Sequence, residues 1–162
     1  MKDTIVVDSI NELSDLSRKL NQKSDALNAT ISSINQKLAK LNFGVEAWVE
    51  DFPIECDDFS TTTFDGEPKE PEASAILLGY CYVEDGWQLA VKDVTLHLRS
   101  GDFGHTYNEA TDSMRPRPLL KASRELRFKA ASVIPALLDE IKAAAAVLLN
   151  GIEKAEKAAS KL

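Results

Sequence analysis

The chain has 162 residues, 44% of them hydrophobic and 28% charged, and a net charge of −7. That length is about one domain, and the composition is that of a folded core rather than of disorder. The acidic balance argues against general binding to nucleic acid or to an anionic membrane, because both need a cationic surface.

The first predicted element is a helix over about 9–41. Ser9-Ile10-Asn11-Glu12 fits a capping box. Leu13, Leu20, Leu27, Ile34 and Leu41 recur every seven residues, with Ile10, Ile31 and Leu38 in the partner positions and Ser17 and Ser24 filling the remaining two. Such a 3-4 spacing predicts one amphipathic rod about 50 Å long with a narrow apolar stripe. Asn42-Phe43-Gly44 ends it, Gly44 suiting a left-handed cap. The period then becomes two: Phe43, Val45, Ala47 and Val49 alternate with Glu46, Trp48 and Glu50, a half-buried strand.

Residues 51–74 read as a long acidic loop with Pro53, Pro68 and Pro71. Two β-rich runs follow, Ala75–Val83 and Trp87–Leu98, joined across Asp85-Gly86 in what resembles a two-residue hairpin turn. That register sets Tyr82 opposite Leu89 and Tyr80 opposite Val91. Since Val94, Leu96 and Leu98 fall on the other phase, a β-bulge near Lys92-Asp93 is expected, placing Leu78 opposite Val94 and Ile76 opposite Leu96. Residues 99–118 read as a second long loop, and a helical region runs over about 119–161 with a kink or break at Pro135. Its seam is Ile134, Leu138, Ile141, Ala145, Leu148, Ile152, Ala155, Ala159 and Leu162.

The expected architecture is therefore α+β in one domain: a long N-terminal helix, a three-stranded antiparallel β-meander and a long kinked C-terminal helix. The terminal helices are expected to lie antiparallel against each other, and their narrow stripes also suit a dimeric bundle.

Motifs for chemistry are sparse. Cys56 and Cys81 form no C-x-x-C pair and read as free thiols. The N-terminal apolar run is too short for a signal-peptide core, and Ala143–Leu149 is too short to span a bilayer, so a cytoplasmic location is expected. Asp102-Phe103-Gly104 matches the kinase magnesium tripeptide, but the remaining kinase motifs are missing. Glu55, Asp57, Asp58, Asp65 and Glu67 lack the spacing of a calcium loop. No metal or cofactor is expected. Trp48, Tyr80, Tyr82 and Trp87 read as cross-strand pairs and core cover.

Charge is the clearest asymmetry. Arg115, Arg117, Lys121, Arg124, Arg127 and Lys129 face only Glu125 in the stretch Met114–Ala130, whereas Glu46–Glu72 holds ten carboxylates against Lys69. The two patches are expected to neutralise each other within the fold or to lie on solvated faces. The alternative is a docking surface built from Arg115, Arg117, Lys121, Arg124 and Arg127. His105, in a glycine-bounded loop beside Asp102 and Tyr107, is the best acid–base candidate.

Three functions follow. The preferred one is a non-enzymatic interaction or scaffold protein, self-associating through its terminal helices and holding a further protein partner. The second is a small-molecule binder or enzyme with a site where the sheet meets loop 99–118, built from His105, Tyr107, Arg115 and Arg124. The third, less favoured, is a nucleic-acid-associated factor using the cluster Arg115–Lys129.

Overall fold

The computed structural model describes residues 2–61, 63–64, 66–68, 70–100 and 106–160. The first helix, α1, runs Lys2–Leu41, so it begins a full two turns before the expected capping box at Ser9. Nothing in Lys2–Asp8 breaks a helix, and Val6 extends the heptad seam one step backwards. At 1.5 Å per residue α1 is about 60 Å long. It ends where Asn42 takes a left-handed φ of 49°, followed by Gly44 at 62°. Two positive-φ residues two positions apart turn the chain sharply onto the sheet.

The strands are β1 (Ala47–Trp48), β2 (Glu55–Cys56), β3 (Thr63–Phe64), β4 (Glu67–Pro68), β5 (Glu72–Val83), β6 (Gly86–Ser100), β7 (Thr106–Asp112) and β8 (Arg117–Pro118). The expected mixed helix-and-sheet class holds, with antiparallel pairing throughout. The three-strand meander does not: the main sheet has six strands, ordered β1-β5-β6-β7, with β2 also on β5 and β8 also on β6. β3 and β4 form a separate two-stranded ribbon. Both expected loops thus contain strands. The acidic segment supplies β2 to β4, and 99–118 supplies β7, β8 and the end of β6.

The hairpin between β5 and β6 differs from expectation by two residues. Val83 pairs with Gly86, so the loop is Glu84-Asp85, with Glu84 at φ 55°. Tyr82 lies opposite Trp87, Tyr80 opposite Leu89 and Leu78 opposite Val91. The Tyr82–Trp87 edge contact (6.1 Å between centroids) and the Tyr80–Trp87 stack (5.6 Å) favour this register over the Asp-Gly turn. The β5–β6 ladder then runs unbroken to Glu72 opposite His97. No bulge interrupts it, because the apolar phase changes by a change of face. Leu78, Tyr80, Leu89 and Val91 belong to the core under the helices; Ala75, Leu77, Val94 and Leu96 form a second small core with Trp48 and Ala110. The irregularity at Asp93 lies on the other edge of β6. Asp112 pairs with Val94 and Arg117 with Val91, and the extra residues between them let Ser113 N and Met114 N both donate to Asp93 O.

After a 3-10 turn, Leu119–Lys121, come α2 (Arg124–Ala131) and α3 (Ile134–Ala159). Ser123 Oγ caps α2 by accepting from Leu126 N at 3.2 Å. Pro135 occupies the first turn of α3, where its missing N–H costs nothing, so the chain breaks between two helices there. The terminal helices do not lie along each other as expected. α1 packs on β6, α2 and the 3-10 turn, and α3 packs on β1 and β5. Ile31 and Leu38 from α1 and Ile134, Leu137 and Ile141 from α3 join one core with the sheet residues, so the sheet takes the place each helix would have given the other. Asn35 Oδ1 adds a polar tie, accepting from Leu89 N at 2.8 Å.

Candidate functional site

Only part of each helical seam meets the sheet. Along α1, every residue from Val6 to Lys23 is exposed; the seam is half-buried or buried from Leu27 to Leu38, and Leu41 at the helix end is exposed again. Ile31 is 0% exposed, whereas Leu13 is 64% and Leu20 53% exposed. Val6, Val7, Ile10 and Leu16 share that exposed stretch. α3 behaves in the same way at its other end: every described side chain from Ala146 onward is exposed, including Val147, Leu148, Leu149 and Ile152. Scattered exposed apolar side chains are ordinary, but two continuous helical stripes of them are not.

The α1 stripe runs into a groove. Leu20, Lys23, Ser24 and Leu27 of α1 face Arg124, Glu125, Phe128 and Ala131 of α2 across about 630 Å³. Arg124 donates to Asn21 Oδ1 at 2.9 Å and pins one edge of it. Phe128 is 73% exposed on the α2 wall. The groove's chemistry is apolar, and nothing in it is arranged to move a proton or activate a nucleophile.

The basic residues read from the sequence are distributed rather than gathered. Arg117 pairs with Asp93, and Lys121 lies 2.6 Å from Glu84. Arg127 donates to the backbone carbonyls of Leu120 and Ala122. Lys129 sits 2.8 Å from both Glu55 and Glu125. Its hydrogen bond with Glu125, and behind that the one with Glu55, holds the ammonium above its ordinary pKa; the same bond lowers Glu125. Arg115 is exposed and makes no ion pair among the described residues. Three acidic residues that answer the cluster, Glu84, Asp93 and Glu125, lie outside the acidic segment 46–72, and Glu55 lies within it.

Of the proposed small-molecule site, His105 and the glycines at 101 and 104 lie outside the described residues. Tyr107 falls on β7 opposite Arg99 on β6. Arg99 itself bridges Glu70, at 3.3 Å, and Glu109. His97 on β6 is half-buried with Nδ1 3.3 Å from Glu72. Arg124 is in the groove instead, on a different element from Arg115.

Sequence reasoning missed Val6, Val7 and Phe128. The first two preceded the assumed helix start. Phe128 stood among charged residues, and only the chain's three-dimensional course shows that α1 passes beside it.

Comparison with protein-family models, with curated proteins and with solved structures finds no match to this chain. Among the described residues, no helix is long and apolar enough to cross a membrane.

Proposed function

We propose that this chain is a non-enzymatic protein–protein interaction or scaffold protein that assembles through the free ends of its two long helices. One observation carries the reading: the exposed stripe Val6–Lys23 on α1 keeps the heptad pattern of the buried part of the same helix. A helix that only had to cover the sheet would need no apolar residue beyond Leu27. Isolated helices are marginal in water, so a long helix of this kind is stabilised by packing its apolar face. Burying one Leu or Ile is worth roughly 1.5–3 kcal/mol, so four or five such side chains meeting a partner outweigh a large part of the cost of association. The ion pairs of Arg117, Lys121 and Lys129 support this reading over a nucleic-acid role, since charges already answered within the fold release fewer counterions from phosphate.

Light scattering across the micromolar range tests the proposal. The expected result is a mass well above the 17.8 kDa of one chain, reduced to that of one chain in a Leu13→Asp, Leu148→Asp variant of unchanged circular dichroism. A monomer at every concentration overturns self-assembly.

A further inference from the structure

The exposed stripe of α1 also indicates which way two copies meet, an inference that rests on the self-assembly just proposed. Written as heptads, Ile10, Ser17 and Ser24 are the a positions and Val6, Leu13, Leu20 and Leu27 the d positions. The flanking e and g positions from Val7 to Lys23 are Val7, Ser14 and Asn21, and Ser9, Leu16 and Lys23. Only Lys23 is charged. Asp8, Glu12, Asp15, Arg18 and Lys19 all fall on the outer face. A second copy therefore meets no like-charge pair across this stripe, which a helix built for an oppositely charged partner would not arrange.

Side-chain size separates the two orientations. A parallel pair would stack Ser17 on Ser17 and Ser24 on Ser24, leaving two layers with little to pack. It would also set the exposed Leu16 against Asn21. An antiparallel pair sets Val6 against Ser24, Ile10 against Leu20 and Leu13 against Ser17. Each serine then faces a large apolar side chain, and every seam residue from Val6 to Ser24 is used. Antiparallel helices bring g positions together, so Leu16 meets Leu16 of the other copy beside the two-fold axis. That contact accounts for an apolar residue that the a/d pattern leaves unexplained. The same register lays the partner's first described apolar turn, Val6-Val7, beside Ser24, where the groove lined by Leu27, Phe128 and Ala131 opens. The overlap is about 28 Å long at 1.5 Å per residue.

We infer that two copies of this chain dock through an isologous antiparallel α1–α1 contact centred between Leu13 and Ser17, each copy's groove receiving the other's N-terminal turn. Single cysteines test the orientation in a Cys56→Ser chain, with buried Cys81 left in place. Under mild oxidation Leu16→Cys gives a disulfide-linked dimer about tenfold or more faster than Val6→Cys, because Cβ atoms about 3.5–4.5 Å apart bridge readily and distant ones do not. A mixture of Val6→Cys and Ser24→Cys chains gives the mixed dimer. Faster linkage of Val6→Cys to itself, in a chain that scatters as a dimer, makes the pair parallel and overturns this inference while self-assembly stands. A dimer that neither cysteine links places the contact off α1 and overturns it as well. A monomeric parent chain removes both this inference and the self-assembly beneath it.

Discussion

The ring of Trp48 occupies the space that a side chain on Gly79 would need. Trp48 on β1 pairs with Gly79 on β5, and a Cβ added at Gly79 would overlap the six-membered part of the indole. The glycine is there for this close approach, since its φ is not of the left-handed kind that demands one. Gly79→Ala is therefore expected to destabilise the fold by about 1–3 kcal/mol, the usual cost of overpacking. Denaturant unfolding checks the value. Pairing it with Trp48→Leu should restore part of the loss, whereas a loss unchanged in the double variant would place its cause elsewhere.

The same indole carries a buried cation. Lys92 Nζ lies 4.3 Å from the Trp48 ring centroid and 2.8 Å from Asp112 Oδ1, and its side chain is only 10% exposed. An ammonium held this way relies on both partners. Asp112→Ala should cost about 1–3 kcal/mol, because it leaves the donor unanswered. Lys92→Met should cost less, since the methionine fills the same channel over the ring. In Lys92→Met, the further change Asp112→Ala should be almost neutral. A double-mutant cycle by chemical unfolding measures the coupling, and additive losses would refute it.

The fold was legible where pattern and burial coincide. Phe43, Val45, Ala47 and Val49 were expected on the buried phase of a strand; the last three are buried, whereas Phe43 is exposed and only Ala47–Trp48 pair as strand. Pro135 was expected to interrupt the last helical region, and it stands in the first turn of α3, just after the break that follows α2. The misses have physical causes. β7, Thr-Tyr-Asn-Glu-Ala-Thr-Asp, is an edge strand with almost no apolar alternation; backbone pairing, the ion pairs of Glu109 and Asp112 and the packing of Ala110 hold it, and none of these leaves a period-two signal. In β6, one run of side chains serves two cores on opposite faces, so a period-two reading infers a bulge where the ladder is continuous. The candidate surface was half legible: Leu13 and Ile31 carry the same heptad signal, and only the path of the chain makes one exposed and the other buried.

The two cysteines should behave differently toward pH and alkylation. Cys81 is buried, and that burial, with a smaller contribution from Glu46 against the lowering by Lys92, pushes its thiol up from 9.0 to about 11. The unfolded chain ionises this thiol first, so the unfolded state holds fewer protons between those values. The stabilisation is complete below about pH 9 and is lost as pH rises toward about 11, at up to roughly 1.4 kcal/mol per pH step. Cys81→Ala should flatten that part of the stability profile in denaturant titrations at several pH values. At pH 8 iodoacetamide should label one thiol per native chain. Cys56 is the exposed one, and desolvation with Asp57 and Asp58 raises its pKa, so even this reaction is slow.

Ile31 and Leu13 separate the two duties of α1. Ile31→Ala opens a hole in the core between helix and sheet, and about 2–5 kcal/mol of stability should go with it, at every protein concentration. Leu13 is 64% exposed, so Leu13→Ala should shift the stability of dilute protein by no more than about 0.5 kcal/mol. If copies pair through this stripe, the wild-type melting temperature rises with protein concentration by mass action, and Leu13→Ala removes the rise. Calorimetry over a hundredfold dilution series reads both effects at once. A concentration-independent melting temperature in the wild type, with Leu13→Ala unchanged beside it, would mean that the outer half of α1 lies against no second copy.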